Sequence, residues 1–294
     1  MILVAVINAG TSWLYSGIAF PIGDTSFVSP LGLDLGVEGI AWGTVTAWGS
    51  GALMILVLMR RGLHDLKLTF SWLRPTRAMV RRIVRISAPG FADGFGLWFG
   101  NLFVLMILGL VAGDAGGYFG AHMIAVRWES FAFLPGFAIG IAAGTLAGQY
   151  LGAGNPEAAS RAIAVCTILG ASIMTLGGLV FIVFGEAATQ LISSDPLHLE
   201  LVPTLLDMAG VVQVFFGISL VIRQSLRGVG ATKTSMWITW GTTYGIRLPA
   251  VFVGAVLLEG GMIGLWWGLC IELALRAFAF LAAYWHGGWK AQRV

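Results

Sequence analysis

The sequence is short of charge: Asp, Glu, Lys and Arg make up 11% of its 294 residues, against about 25% in a soluble domain whose surface must be wetted. So few charges cannot cover a water-soluble globule. Cysteine is scarce as well, with 2 residues, Cys166 and Cys270, each inside an apolar run where a thiol acts as a small hydrophobe. Neither has a His or carboxylate at ligand spacing, which argues against a disulfide scaffold and a metal site. The amino end lacks a basic n-region and an A-x-A cleavage site, so no signal peptide is expected. What the chain does have is apolar surface: 57% hydrophobic residues and 42 glycines, with a mean hydropathy of +0.87. Apolar stretches of about 20 residues span a bilayer core. The composition therefore indicates an all-α polytopic membrane helix bundle and excludes a secreted scaffold, a cytosolic enzyme and a nucleic-acid binder, despite a pI near 9.1.

Cutting the apolar runs at charge, Gly and Pro predicts about eight transmembrane helices, at 1–20, 37–59, 86–111, 118–150, 158–185, 200–226, 234–257 and 261–285. Pro135-Gly136 falls near the middle of the fourth, where a proline kinks a helix without ending it. The fifth opens on Asn155-Pro156-Glu157, an N-cap residue, a proline at N1 and an acid in the first turn. Alternate connectors differ in charge. One set, with the tail, holds Arg60, Arg61, Lys67, Arg74, Arg77, Arg81, Arg82, Arg85, Arg161, Arg223, Arg227, Lys233, Lys290 and Arg293, which is 14 of the 17 basic residues. The other set carries Asp24, Asp34, Glu38, Asp114, Glu186, Asp195, Glu200 and Glu259. By the positive-inside rule the carboxy-terminus and the start of the first helix are cytoplasmic. The chain divides into a helix pair at 1–59, a basic cytoplasmic linker at 60–85 that lies against anionic headgroups, and a six-helix bundle at 86–294.

An internal repeat is visible. Gly17-Ile18-Ala19-Phe20-Pro21 echoes Gly245-Ile246-Arg247-Leu248-Pro249, and Gly36, Gly39, Trp42 and Gly43 echo Gly261, Gly264, Trp267 and Gly268. Each unit reads as a helix ending near Pro, an acidic outer turn and a returning helix with a small-residue face. Parallel repeats of this kind are common in transporters.

The run from Ala125 through Arg127, Trp128, Glu129 and Pro135-Gly136 to Thr145-Leu146-Ala147-Gly148-Gln149-Tyr150-Leu151-Gly152-Ala153-Gly154 resembles the multidrug and toxic compound extrusion (MATE) family, whose eighth helix ends in T-L-x-G-Q-x-L-G-A-G. Leu226-Arg227-Gly228-Val229-Gly230-Ala231-Thr232-Lys233 resembles that family's L-R-G-x-G-x-T-K, Ile86-Ser87-Ala88-Pro89 the start of its seventh helix, and Gly36 to Gly43 the opening of its sixth. The resemblance implies two six-helix bundles around a central cavity and export of cationic, amphipathic compounds in exchange for sodium ions or protons. It implies an inner-membrane location in a bacterial cell and no cofactor beyond the coupling Na+ or H+. This chain would supply helices five to twelve, so about 150 residues of such a bundle lie outside it. The 294 residues alone are then expected not to confer drug resistance.

An ionisable side chain inside a membrane helix is costly and is a functional candidate by default. Asp93, in a Gly-rich stretch one turn after Pro89, can hold a cation or proton and attract a cationic drug, and the family often has an acid near here; the alternative is that it reaches headgroup water. Arg127 and Glu129 are two residues apart and cannot neutralise each other on a helix; the resemblance implies an interhelix clamp there, with substrate or proton binding as the alternative. His122 could titrate near neutral pH or be hydrated at a helix end. Glu272 and Arg276 stand at i and i+4, the spacing of a structural ion pair. Arg247 has no local acid and sits with Thr242, Thr243 and Tyr244 on a stripe expected to face a cavity. Asp207 lies near the outer side, and Phe215-Phe216 stand where some family members have a deeper acid. Trp237, Trp240, Trp266, Trp267, Phe95 and Trp98 could wall a cavity for planar cations or anchor at the interface. Gly136, Gly140, Gly144 and Gly148 allow close helix packing.

The first expectation is thus a secondary antiporter with a small cationic substrate, membrane lipid around it and no nucleic-acid partner; the oligomeric state is open. No G-x-x-x-x-G-K-[ST] loop points to ATP. A lipid-linked precursor flippase of the related superfamily would use the intramembrane arginines for pyrophosphate. A membrane-embedded enzyme would need clustered acids or a nucleophile and base at helix depth.

Overall fold

The computed structural model describes residues 2–22, 25–27, 29, 33–62, 75–113 and 117–291. The expected amphipathic link around Lys67 and Arg74, and the connector residues Asp24, Asp114 and Arg293, lie outside these. The chain falls into two compact units, Met1–Val80 and Arg81–Val294.

In the first unit, α1 (Ile2–Ser16) leads through an antiparallel hairpin of β1 (Phe20–Ile22) and β2 (Thr25–Phe27) to α2 (Gly36–Arg61). Lipid is as apolar as leucine, so helices in it associate through close packing and polar contacts. The buried residues of α2 are all small and four apart: Gly39, Gly43, Ala47 and Gly51. A Cβ on Gly39 would meet the backbone of Tyr15 and one on Gly43 that of Ser12, so α1 lies directly on this stripe. Thr11 Oγ1 donates to the Gly43 carbonyl at 3.0 Å, and Thr44 Oγ1 to Asn8 Oδ1 at 3.3 Å. The outer face carries Trp42, Val45, Trp48 and Leu53.

In the second unit the rods are α3 (Arg77–Ala112, whose first turn precedes the unit boundary), α4 (Gly117–Gly152), α5 (Pro156–Ile192), α6 (Pro196–Gly228), α7 (Thr232–Thr242), α8 (Leu248–Phe252) and α9 (Gly261–His286). Two π turns, Thr243–Arg247 and Val253–Leu257, join α7 and α8 into one rod over residues 232–257. Eight rods result among the described residues, as the hydrophobic runs predict, and six of the described helices are long and apolar enough to cross a membrane. The rod α6 is the centre of this unit, packed against α4, α5 and α9, with Val202, Leu205, Leu206, Ile222 and Leu226 buried. Pro135 sits inside an uninterrupted α4.

Helix ends depart from the sequence expectation where charge marks them. The helix expected from Ile86 begins at Arg77, and that expected to stop at Gly185 runs on through Glu186 to Ile192. The sixth opens at Pro196, capped by Asp195, whose side chain accepts from Leu197 N at 2.9 Å. The fifth begins as expected: Asn155 Oδ1 accepts from Ala158 N at 3.0 Å, with Pro156 at N1. Loss of such a cap typically costs about 0.5–2 kcal/mol. Asn155→Ala is therefore expected to lower the thermal midpoint of the detergent-solubilised protein, and Asn155→Asp to retain it; equal midpoints for the Ala variant and the parent would remove the cap from the account.

The repeat holds in its second half only. Gly36 and Gly261 both open a helix with positive φ, +53° and +57°, and Gly39/Gly43 and Gly264/Gly268 both meet the backbone of the preceding helix. The first half fails. Pro21 follows the end of α1 and lies in β1, whereas Pro249 lies within a helix that continues to residue 257. Proline lacks the N–H that a helix interior needs, and the π turn ahead of it absorbs the misfit: Leu248 N bonds Thr243 O, five residues back.

Candidate functional site

All the buried residues of α7 carry hydroxyls: Thr232, Ser235, Thr239 and Thr242. Its indole Trp237 faces outward. Beyond its first turn, where Lys233 and Thr234 are exposed, the helix is polar inside and apolar outside, as expected where lipid replaces water around a polar seam. Across that seam lies α3, tied to α7 and the π turn by side chains: Trp240 Nε1 donates to Ala92 O at 3.0 Å and Tyr244 OH to Gly96 O at 2.8 Å. Gly96 and Gly100 leave room for Trp240 and Thr243.

Asp93 sits in this seam with 0% exposure, so it does not reach headgroup water. Its Oδ2 accepts from Arg223 Nη2 at 2.9 Å, Arg223 Nε at 3.2 Å and Ser235 Oγ at 3.3 Å. Its Oδ1 and the hydroxyl of Thr239 have no hydrogen-bond partner among the described residues. Both guanidinium nitrogens fall on one oxygen instead of bridging the carboxylate, which leaves the second oxygen's lone pairs available. A buried acceptor left this way is costly.

A second cluster forms around Glu272. Arg247, delivered by the first π turn, places Nε and Nη2 at 3.1 and 3.0 Å from Glu272 Oε2 and Nη1 at 2.9 Å from Asn101 Oδ1. Arg276 Nη2 is 2.6 Å from Glu272 Oε1, the i, i+4 pair that the spacing predicts. Arg276 also donates to Thr242 Oγ1 at 3.1 Å and Thr243 Oγ1 at 2.9 Å. The stripe of Thr242, Thr243 and Arg247 is thus enclosed in this cluster and does not face a cavity, and Tyr244 is engaged by α3. Each oxygen of one carboxylate takes one arginine.

Glu129 is half-buried and lies within electrostatic reach of Arg247 and Cys270. Arg127 is exposed, and neither forms an ion pair among the described residues. His122 is buried, not hydrated at a helix end: its ring meets the Trp266 edge with centroids 5.7 Å apart, and its Nδ1 and the indole Nε1 lack partners among the described residues. Of the aromatic residues, Trp266 is buried and Trp240 is half-buried, spent on Ala92, while Trp98, Trp237, Trp267 and Phe95 are exposed.

Arg223 is the residue that sequence reasoning misplaced. Grouped there with the cytoplasmic connectors, it has a side chain only 14% exposed and pairs with Asp93. The available signal was position: it interrupts the apolar run Ile218 to Ile222 one turn before Arg227. It also lies within electrostatic reach of Arg276. Arg223 is thus paired with Asp93, while Arg247 and Arg276 share the single carboxylate of Glu272. Among the described residues no group of three or more His, Cys, Asp or Glu is placed to hold a metal ion.

Solved structures share this arrangement of helices. An outward-facing multidrug resistance MATE family transporter of the MOP superfamily superposes with a TM-score of 0.85 at 16% identity, covering 100% of this chain and 62% of that one. The "Probable multidrug resistance protein NorM" of Thermotoga maritima is 30% identical over 89% of this chain and 55% of its own length. "Multidrug and toxin extrusion protein 2" of Mus musculus is 24% identical over 88% of the chain and 44% of its own length. The chain spans about half the length of these curated relatives and matches roughly their carboxy-terminal lobe. The MatE family model covers residues 94–253, a span that starts beside Asp93, takes in Arg223 and Arg247 and amounts to more than half of the sequence; the chain belongs to that family.

Proposed function

We propose that the chain works in a cation-coupled exporter of cationic, amphipathic compounds, with Asp93 as the group where coupling ion and substrate compete. The observation that carries this is the pairing at Asp93: one oxygen held by Arg223, the other buried and open. A proton or a sodium ion on that carboxylate weakens its hold on Arg223, and a cationic substrate is then disfavoured at the same place. One carboxylate that serves one cation at a time is the electrostatic requirement of an exchanger. Relatives named as multidrug resistance proteins support drug export in general, and the buried carboxylate of Asp93 supports a cationic substrate. The alternation of connector charge supports a cytoplasmic carboxy-terminus in the inner membrane.

The flippase reading needs intramembrane arginines free to meet a pyrophosphate. Here Arg223 pairs with Asp93, and Arg247 and Arg276 share Glu272; of the intramembrane arginines only the exposed Arg127 has no ion pair among the described residues, and one arginine is a poor match for a pyrophosphate, which favours the exporter.

The test is ethidium efflux from an efflux-deficient host that expresses the protein from its own gene with the upstream sequence retained, under an imposed pH or sodium gradient. Asp93→Asn is expected to slow gradient-driven efflux by about tenfold or more, equivalent to about 1.4 kcal/mol, at unchanged protein level. Efflux that ignores both gradients, or an Asp93→Asn variant as fast as the parent, would sink the proposal.

A further inference from the structure

A second charged feature lies where α3 begins, α6 ends and α7 starts. Arg82 and Arg85 come from α3, Arg227 from the last turn of α6 and Lys233 from the first turn of α7. Between them the chain turns through Gly230, whose φ of +80° permits the reversal. These elements enclose a pocket of about 670 Å³ with no carboxylate among the described residues that line it. All four cations are exposed, and none is in an ion pair among the described residues. The N-cap of α7, Ala231, has no side-chain acceptor for the helix's first N–H groups.

The positive-inside rule accounts for basic residues near one membrane face. It does not account for their convergence from three elements on one concavity with no acid among its described lining residues. Like charges so placed repel, and an anion relieves the repulsion. Beside this pocket runs a groove of about 630 Å³ between α4 and α6, walled by Phe137, Ile141, Gly144 and Gly148 and by the polar Thr145, Gln149 and Gln224. Arg227 and Gly228 belong to both. A groove with Phe137 and Ile141 along one part of its wall, opening into a cationic pocket, matches a phosphate group attached to an acyl chain.

We propose that this paired pocket and groove bind an anionic phospholipid, its phosphate among Arg82, Arg85, Arg227 and Lys233 and an acyl chain along α4 and α6. The site is separate from Asp93 and does not depend on the exporter reading.

Native mass spectrometry of the detergent-solubilised full chain tests it, with short-chain phosphatidylglycerol, short-chain phosphatidylcholine and inorganic phosphate as the probes. Phosphatidylglycerol is expected to bind about tenfold more tightly than phosphatidylcholine, and the preference to vanish in Arg82→Gln/Arg85→Gln/Lys233→Gln. Ile141→Glu, which charges the groove, is expected to weaken the lipid and leave phosphate unaffected. Inorganic phosphate competing as well as the lipid would make the pocket a free-anion site and overturn the lipid assignment. Equal retention of both lipids by the parent protein would overturn it too, and that comparison needs no variant to fold.

Discussion

Glu272→Leu is expected to leave almost no folded protein. The Glu272 side chain is fully buried, accepts from Arg247 at 3.0 Å and forms an ion pair with Arg276 at 2.6 Å, and the two arginine side chains are 10% and 7% exposed. Removing it strands two guanidinium groups in a low-dielectric interior. Breaking one buried pair from one side costs about 3–5 kcal/mol, while the whole stability of a typical domain is about 5–15 kcal/mol. Neutralising everything together behaves differently, because a buried ion group replaced by apolar residues of similar volume is often neutral in its effect. Glu272→Leu/Arg247→Met/Arg276→Met should therefore recover much of the folded yield that the single change loses. Monodisperse yield and thermal midpoint in detergent read this out. A single variant as stable as the parent, or a triple variant no better than the single, would contradict the assignment of Glu272 as the common counter-ion.

Part of this cluster was legible in the sequence. The pair of Glu272 and Arg276 follows from helix geometry alone, since residues four apart share a face. The same rule shows that Arg127 and Glu129 cannot pair with each other. What the chain could not reveal is which helices meet. Arg247 lacks an acid within one turn and finds one 25 residues on in sequence, and Asp93 finds Arg223 130 residues away. Arg223 was hidden by a sound rule applied one turn too far: basic residues mark cytoplasmic connectors, and Arg223 stands just inside the helix that Arg227 ends.

The fold was legible for related reasons. Segment number and fold class follow from runs of apolar residues, and the Asn155 cap from side-chain chemistry. The helix ends at Arg77 and Ile192 were missed because charge limits the bilayer-spanning part of a helix, not the helix itself. The π turns were missed because nothing local in Thr243 to Arg247 calls for a wider turn; the demand comes from Pro249 and from the arginine that must reach Glu272. This is also why only half of the repeat survives: close backbone contact keeps Gly264 and Gly268 in step with Gly39 and Gly43, while Pro249 sits in a rod that runs past it.

Gly144→Val should separate α4 from α6. A Cβ on Gly144 would stand 2.8 Å from the Gln224 carbonyl oxygen, and one on Gly228 would overlap the backbone of Gly144. Each obstacle is backbone, which cannot swing aside as a side chain can. Further along the same stripe a Cβ on Gly140 would meet Gln224 and Val221, and one on Gly136 would meet Met174 and Leu220. A displacement at Gly144 therefore spreads along the interface between two core helices. Overpacking a tight core typically costs about 1–3 kcal/mol and occasionally more, and an obstacle made of backbone places this site at the upper end. Gly241→Ala, where nothing lies within 4 Å of the added carbon, removes a flexible residue from a helix and should be neutral or stabilising by up to about 1 kcal/mol. The contrast between the two, read as thermal midpoints in one detergent, separates close packing from a general intolerance of glycine replacement. If Gly144→Val melts with Gly241→Ala, α4 and α6 do not meet at their backbones. If it falls well below, α4 and α6 meet at their backbones along this stripe, with no space between Gly144 and the Gln224 carbonyl for even one added side chain.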